Sequence, residues 1–427
     1  MEKKNVFTSI FRGIMKIPFI ARVLIGLVIG VALALLVPEA TFISMFGSFF
    51  AGALKGIAPV LVFILISSAL ASAGGNLGSR FVKVISLYLG TTVLAAMISV
   101  LASFVFRLTI PLAEKPEGYA PPTGLGEVFS TLLNNVVQNP VSAILGGNYV
   151  GILFWSIMLG IALRALASDK TKEVMNDLSR AVGKIVSWVI QLAPLGVMGL
   201  VFSSVSELGM EIFVDYGRLV LLLVGCMLFT SLVINPFLVF LFLKRNPYPL
   251  VFRCLRESGI QAFFTRSSAA NIPVNMKLCE DLGLDKEYYS VAIPLGATIN
   301  MDGAAVTIAV MSLAAAFSMG IEVNIFVALL LCLVATLGAC GASGVPGGSL
   351  LLIPMACSLL GVNGDVAMQV VGVGFIIGVI QDSLETALNS SGDVMFAATA
   401  EFMEWKKAGK PVYFTEKEKQ LAEKTAE

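Results

Sequence analysis

The sequence predicts an all-α protein that crosses a lipid bilayer several times. Hydrophobic residues make up 57% of the 427-residue chain and charged residues only 13%, whereas soluble domains carry about 25% charged residues. The mean hydropathy is +0.89. Repeated apolar runs are long enough to cross a hydrocarbon core, which needs roughly 20 helical residues. Together these observations indicate a polytopic membrane protein.

Each apolar run predicts one membrane-spanning helix. The first, 19–37, is too long for a signal-peptide core and lacks a small-residue cleavage site, so it is expected to be retained. The other runs lie at 41–72, 84–106, 141–166, 186–204, 219–243, 285–318 and 364–402. The sequence therefore predicts eight transmembrane helices, with 118–127 as an outer loop.

The positive charges predict the orientation. Of the 29 Lys and Arg residues, only Arg107, Lys115 and Arg218 fall in the expected outer loops. Because cytoplasmic loops are enriched in Lys and Arg, both termini are expected in the cytoplasm. With helices that cross the membrane in alternating directions, the Lys and Arg residues fall on the cytoplasmic side only if segments 250–280 and 327–360 each enter and leave the membrane on the same side.

Those two segments are therefore predicted to be re-entrant hairpins. Their tips would be TRSSAANIPVN (265–275) and GASGVPGGS (341–349). Both tips contain Pro and small residues, which interrupt helices and leave backbone amides free.

The composition argues against several kinds of site and partner. The chain has no His, which excludes histidine proton relays and His-based metal sites. Its six Cys form no C-x-x-C pair, so neither a disulfide framework nor a zinc site is expected. A net charge of +1 argues against nucleic acid as a partner. No organic cofactor is expected.

The last apolar run carries a polar stripe. Asp382, Glu385, Thr386, Asn389 and Asp393 lie at i, i+3, i+4, i+7 and i+11, within a helical sector about 100° wide. A carboxylate at the bilayer centre costs about 2.5–3.5 kcal/mol. The stripe is therefore expected to face protein.

The same order of a hairpin tip and a polar helix occurs twice in the sequence. Each hairpin tip precedes a helix that contains an Asn and an acid: Asn300 and Asp302 in 293–310, and Asn389 and Asp393 in the last run. The hairpins would enter from opposite sides, so the repeat is inverted. Paired interrupted segments of this kind indicate a transport site near the membrane midplane.

Carboxylates, a hydroxyl and an amide in one stripe suit two kinds of ligand. A desolvated carboxylate binds an ammonium, and the oxygens of interrupted helices replace the water around a monovalent cation. Half-helix N-termini favour a carboxylate. This chemistry predicts cation-coupled amino-acid uptake. The alternatives are an acid that pairs with Arg266 or Lys55 only to hold helices together, an intramembrane aspartyl protease with an acid dyad, and a channel.

Four ordered motifs carry a resemblance to a known family. They are FFTRSSAANIPVNMKLCE (263–280), INMDG (299–303), GASGVPGGS (341–349) and DSLETALNSSGDV (382–394). With YLGTT (88–92), they resemble the signatures of the dicarboxylate/amino-acid:cation symporters, the glutamate-transporter family, along essentially the whole chain. Within it, the chain most resembles members that carry serine and threonine with Na⁺. The resemblance implies a carrier, not an enzyme. It also implies a homotrimer in the bacterial inner membrane, each chain having a fixed scaffold and a transport domain that moves as an elevator.

The resemblance also implies a division of the chain. The N-terminus, 1–17, and the solvated tail, 403–427, would be cytoplasmic. The scaffold would comprise 18–79 and 111–213, and the transport domain 80–110, 214–245, hairpin 246–282, helix 285–318, hairpin 325–361 and helix 364–402.

Site residues are implied position by position. Asp382 would hold the substrate ammonium and Asn389 its α-carboxylate. The other substrate contacts would be Ser267, Ser268, Gly344, Val345 and Thr386. One Na⁺ would be held by Gly296, Asn300, Asn389 and Asp393, a second by Thr298, Met301, Ala339, Cys340 and Ala342, and a third by Tyr88, Thr91, Thr92, Asn300 and Asp302.

Two departures from the family pattern predict the substrate. Members that take acidic substrates have Arg at the position of Glu385 and commonly Thr at that of Ala304. A negative charge here would repel a side-chain carboxylate in a low-dielectric pocket. We therefore expect an Arg266–Glu385 ion pair and a small neutral substrate, serine or threonine. The alternative within the family is a Na⁺- or H⁺-coupled carrier of glutamate, aspartate or dicarboxylates.

Overall fold

The computed structural model describes residues 17–72, 79–111, 130, 133–342, 346–415 and 418. All regular elements within these ranges are helices, as the composition predicts. Gly344 and Val345, two of the expected substrate contacts, lie outside the described residues, as does the 118–127 loop.

Seven helical segments of the described chain are long and apolar enough to cross a membrane. They are α1 (Phe19–Leu36), α2 (Ser44–Ser72), α3 (Ser79–Phe106), α5 (Tyr149–Leu166), α8–α9 (Ile212–Phe229 and Asn235–Leu243), α13–α14 (Lys286–Ile299 and Asp302–Ser318) and α17 (Gly364–Lys407). The short helix α4 (Pro140–Gly146) precedes α5. Helices α6 (Asp169–Ile190) and α7 (Ala193–Leu208) are bent by 54°. The expected number of eight spans is reached when this bent pair is counted as one.

The two segments expected to be re-entrant are built from shorter helices. The first contains α10 (Tyr248–Cys254), a π-helical turn, α11 (Ile260–Thr265) and the returning α12 (Ser268–Asp281). The second contains α15 (Ile325–Ala339), a 3₁₀ turn at Ser349–Leu352 and α16 (Ile353–Leu359). Each limb is shorter than the roughly 20 residues that a full crossing needs. We call these segments hairpin 1 and hairpin 2.

The described residues near each hairpin tip include one with a left-handed backbone. Arg266 has φ 52° and ends α11, and Ser267 then accepts a hydrogen bond from the Ala270 amide and begins α12. In hairpin 2 the corresponding backbone is found at Gly347, with φ 71°. Glycine adopts this conformation without strain, whereas for arginine it costs about 1–2 kcal/mol.

The core surrounds α14 and α17. Residues 302–316 of α14 are all buried. In the most apolar stretch of Lys286–Ser318, 89% of the residues are buried, against 22% in α1. Helix α17 packs against both hairpins and against α3 and α14. The polar stripe thus lies at the centre of the protein, while α1 exposes its apolar residues at the periphery.

The beginning of the tail differs from its expected solvated state. Phe414 is buried, and its carbonyl accepts a hydrogen bond of 3.1 Å from Arg253. The Arg245 guanidinium lies 4.9 Å from the centre of the Phe414 ring. A cation–π contact and a backbone hydrogen bond therefore hold Phe414 against Arg245 and Arg253, and the expectation of a solvated tail was wrong for this residue.

Candidate functional site

The stripe on α17 faces protein, as its spacing predicts. Asp382, Glu385, Thr386, Asn389 and Asp393 are each no more than 5% exposed. Buried polar groups are stable only when they are hydrogen-bonded, so their partners define what the site does.

Asp382 is held by the tips of both hairpins. Its Oδ2 accepts a hydrogen bond of 2.6 Å from Arg266 Nε, at the tip of hairpin 1. Its Oδ1 accepts one of 3.1 Å from the Gly347 amide, at the tip of hairpin 2. Both side chains of the ion pair are almost fully buried, 7% and 3% exposed. One carboxylate therefore joins the two hairpins.

The expected Arg266–Glu385 ion pair is wrong. Arg266 reaches Asp382 instead because the two tips meet there. Glu385 lies one helical turn further on and faces α14 at Gly303. A side chain at Gly303 would begin only 2.7 Å from the Glu385 Cα, so the missing side chain permits this close approach.

Glu385 is surrounded by neutral donors. Its Oε2 accepts hydrogen bonds from the Thr307 and Ser349 hydroxyls, both at 2.8 Å, and from the Gln381 amide at 2.5 Å. Among the described residues, no cation forms an ion pair with it. The sequence reasoning missed these three donors. Gln381 stands four residues before Glu385, and this spacing could have identified it.

Asn389 is bonded to the break between α13 and α14. Its Oδ1 accepts from the Gly303 amide at 2.7 Å, and its Nδ2 donates to the Met301 sulfur at 3.3 Å. Gly303 lies in the first turn of α14. A side-chain amide beside a helix N-terminus is suited to bind a carboxylate. Thr386 donates to the Asp382 carbonyl on its own helix, at 2.7 Å.

The remaining expected substrate-site residues lie on the two elements that face α17. Ser267 caps α12, and Ser268, its first residue, is buried. Ala304 is fully buried on α14, next to Gly303. The structure thus places each of these residues on a helix terminus or on a helix that packs against the stripe.

The residues expected to hold the first Na⁺ are brought together. Asn300 Nδ2 donates to Asp393 Oδ1 and to the Asn389 carbonyl, both at 3.0 Å. Gly296 lies so close that a Cβ there would be 2.8 Å from the Asp393 carboxylate. Carboxylate and carbonyl oxygens are the ligands that hard cations prefer.

The residues expected at the third Na⁺ also meet. Thr92 donates to Asp302 at 3.1 Å, Thr91 donates to Asn300 at 3.5 Å, and the Tyr88 hydroxyl donates to the Asp393 carbonyl at 2.9 Å. All of these side chains are buried.

Sequence reasoning missed one member of this cluster. Asn235 donates to Asp302 at 3.2 Å and is fully buried. It is an isolated amide in the apolar run 219–243, a type of residue that marks functional positions inside membranes.

The second expected Na⁺ group is assembled only in part. Cys340, in hairpin 2, donates to the Ile299 carbonyl at 3.5 Å, which brings the hairpin against the break after α13. Met301, two residues after Ile299, is buried, and so are Ala339 and Ala342 on either side of Cys340. Thr298 is exposed, and its hydroxyl donates to the Leu295 carbonyl at 2.7 Å.

Two helical hairpins whose tips meet at a buried polar helix, in a chain with several membrane-spanning helices, are typical of a membrane carrier, and the comparisons give its family. The model of the sodium:dicarboxylate symporter family matches residues 19–402, so the chain belongs to this family. Family membership indicates a transporter rather than an enzyme.

Several similar proteins bear the name serine/threonine transporter SstT. That of Bifidobacterium adolescentis is 57% identical over 391 residues, which cover 92% of this chain and 91% of the relative. That of Streptococcus agalactiae is 55% identical over 387 residues, covering 90% and 96%. That of Streptococcus thermophilus is 53% identical over 390 residues, covering 91% and 97%.

Proposed function

We propose that this protein imports serine and threonine by symport with Na⁺. The substrate ammonium would bind Asp382, and the α-carboxylate would bind Asn389 and the N-terminus of α14. Na⁺ would bind the oxygen clusters around Asp393 and Asp302. The similar proteins named serine/threonine transporters support the choice of substrate.

The surroundings of Glu385 carry this proposal. Three neutral donors surround its carboxylate, and Ala304, which follows Gly303 on α14, carries only a methyl group. A substrate with a second carboxylate would meet like charge in a desolvated pocket. A hydroxyl is neutral and forms hydrogen bonds with such a network.

An elevator movement fits the contact between the two parts of the chain. Phe50 of α2 packs edge-to-face on Phe375 of α17, with ring centres 5.0 Å apart. Leu200 of α7 packs on Gly372. The polar contact between α2 and α17 is the exposed Lys55–Asp365 ion pair, and a largely apolar contact with few directional bonds permits sliding. We extend the proposal to a homotrimer in the bacterial inner membrane, with both termini in the cytoplasm.

Uptake of labelled serine by proteoliposomes tests the proposal. We expect uptake that requires an inward Na⁺ gradient, that unlabelled threonine inhibits, and that collapses when the gradient is dissipated. Liposomes without protein are the control. Uptake of serine that is independent of Na⁺, or aspartate transported better than serine, would contradict the proposal.

One observation favours the alternative of an acidic substrate. Arg266 lies at the proposed substrate site, and if its guanidinium left Asp382 it would be free to bind a side-chain carboxylate of the substrate. Competition by aspartate, glutamate and succinate against labelled serine separates the two functions. Strong inhibition by all three would favour the dicarboxylate carrier.

A further inference from the structure

Arg266 lies where the proposed substrate ammonium should bind. Its Nε is 2.6 Å from Asp382 Oδ2, while the Gly347 amide holds the other oxygen of the same carboxylate. Both oxygens of Asp382 therefore have donors already. A buried ammonium of the substrate needs that carboxylate as its counter-ion, so it competes with Arg266 for it.

Arg266 has a strained backbone and an incompletely bonded guanidinium. Arg266 has a left-handed backbone, φ 52°, which a residue with a Cβ adopts only with strain. Its Nη1 is buried without a hydrogen-bond partner among the described residues. The ion pair thus leaves part of the guanidinium unsatisfied, and a ligand that takes Asp382 displaces a cation that is not optimally bound.

The pair also neutralises a charge that would otherwise be buried alone. Asp382 is 2% exposed in a helix at the centre of the protein. An unpaired carboxylate is strongly disfavoured in a membrane interior. A symporter that has released its substrate must return without it, and at that stage Asp382 needs another cation.

We propose that Arg266 is an internal cation that replaces the substrate ammonium on Asp382 whenever the site is empty. Substrate binding is then an exchange of cations: the amino acid displaces Arg266, and Arg266 returns after release. This inference rests on the proposed function, because it assigns the ammonium to Asp382. It gives Arg266 a role in the return of the empty carrier rather than in recognition of the cargo.

Two transport modes separate this role from a merely structural one. Net uptake requires the empty carrier to return, whereas exchange of internal for external serine does not. In Arg266→Gln we expect exchange to persist while net uptake falls about tenfold or more relative to exchange. We also expect serine to bind about tenfold more tightly, because the competing internal cation is gone.

Arg266→Lys is the conservative variant and Arg218→Gln the matched control. Lysine keeps a cation at the tip and should restore part of the ratio of net uptake to exchange. Arg218 forms an exposed pair with Asp215 at 3.1 Å, remote from the hairpin tips in sequence, and its replacement should leave that ratio and the serine affinity as in the wild type.

The outcomes are distinct. If the wild type transports serine but Arg266→Gln keeps the wild-type ratio and affinity, the inference is wrong and the proposed function stands. If the wild type transports no serine, the proposed function itself fails. Should Arg266→Gln not yield folded protein, the same ratio and affinity are measured in Arg266→Lys, where wild-type values for both would likewise overturn the inference.

Discussion

The two hairpin tips hold the same carboxylate by different means. Hairpin 1 uses a side chain, the Arg266 guanidinium, whereas hairpin 2 uses a main-chain amide at Gly347. The first contact depends on which residue stands at the tip, and it carries a full charge. The second depends on a backbone conformation and carries only a dipole. Hairpin 1 therefore contributes a charge to the site, whereas hairpin 2 contributes a main-chain dipole whose position depends on the backbone of Gly347.

Replacing Asp382 by Asn removes the charge that both tips bind, and it should have the largest effect. We expect serine binding to weaken by more than about 100-fold, because loss of one partner of a buried ion pair costs about 3–5 kcal/mol. Part of the Na⁺ binding should remain, since Asp393 and Asp302 are intact. Serine binding and Na⁺-dependent thermal stabilisation of the purified protein measure both effects.

Asp215→Asn is the control for this variant, because it removes a half-exposed carboxylate from its pair with Arg218. An Asp382→Asn protein with the serine affinity of the wild type would refute the ammonium site.

Gly347→Ala acts on the other tip alone. Its φ of 71° disfavours any side chain, and the new Cβ would lie 2.9 Å from the Phe375 ring. Strain of about 1–2 kcal/mol predicts a loss of roughly tenfold in serine affinity. Binding assays check this, with Gly225→Ala as the control, since a Cβ there meets open space. Equal serine affinities in the two variants would show that the tip of hairpin 2 does not need this backbone conformation.

Glu385→Gln tests the charge of the site separately from the contacts of the two tips. It removes the negative charge but keeps an oxygen for the Thr307 and Ser349 hydroxyls. We expect aspartate to inhibit serine uptake about tenfold more strongly than in the wild type, since the repulsion is relieved. Glu322→Gln, an exposed change, is the control. If aspartate stays excluded to the same degree, Glu385 does not set the selectivity.

The smallest effect is expected far from the tips, at Asp285. The Arg80 guanidinium, which donates to Asp285 at 2.8 Å, lowers the pKa of this carboxyl, as does its hydrogen bond from the Glu287 amide. A lowered pKa in the folded state stabilises the protein above the unfolded value, 3.8, and this contribution is lost as the pH falls below it.

We therefore expect Asp285→Asn to lower the thermal midpoint slightly at pH 7 but not below the folded-state pKa of Asp285. Serine affinity should not change. Thermal scans across pH test this, and an equal difference between variant and wild type at all pH values would contradict the titration of Asp285.

Sequence spacing predicted much of the site and left its pairings open. The helical spacing of the polar residues and the free-energy cost of a charge in a membrane were sufficient to predict that the α17 stripe faces protein. The Pro and small residues, which interrupt helices, identified both tips. Asp382 and Glu385 are three residues apart on one face, so spacing could not decide which one Arg266 reaches. The left-handed backbone of Arg266 and the meeting of the tips decide it. Thr307 and Asn235 come from helices whose rotation only packing determines.

The most direct test of this account is an experimental structure of the protein with serine and Na⁺ bound. We expect the serine ammonium to lie within hydrogen-bond distance of Asp382. We also expect Arg266 Nε to have moved beyond the ~4 Å limit of an ion pair with Asp382, while the Gly347 amide keeps its contact. An Arg266–Asp382 pair that persists with serine bound elsewhere would contradict it.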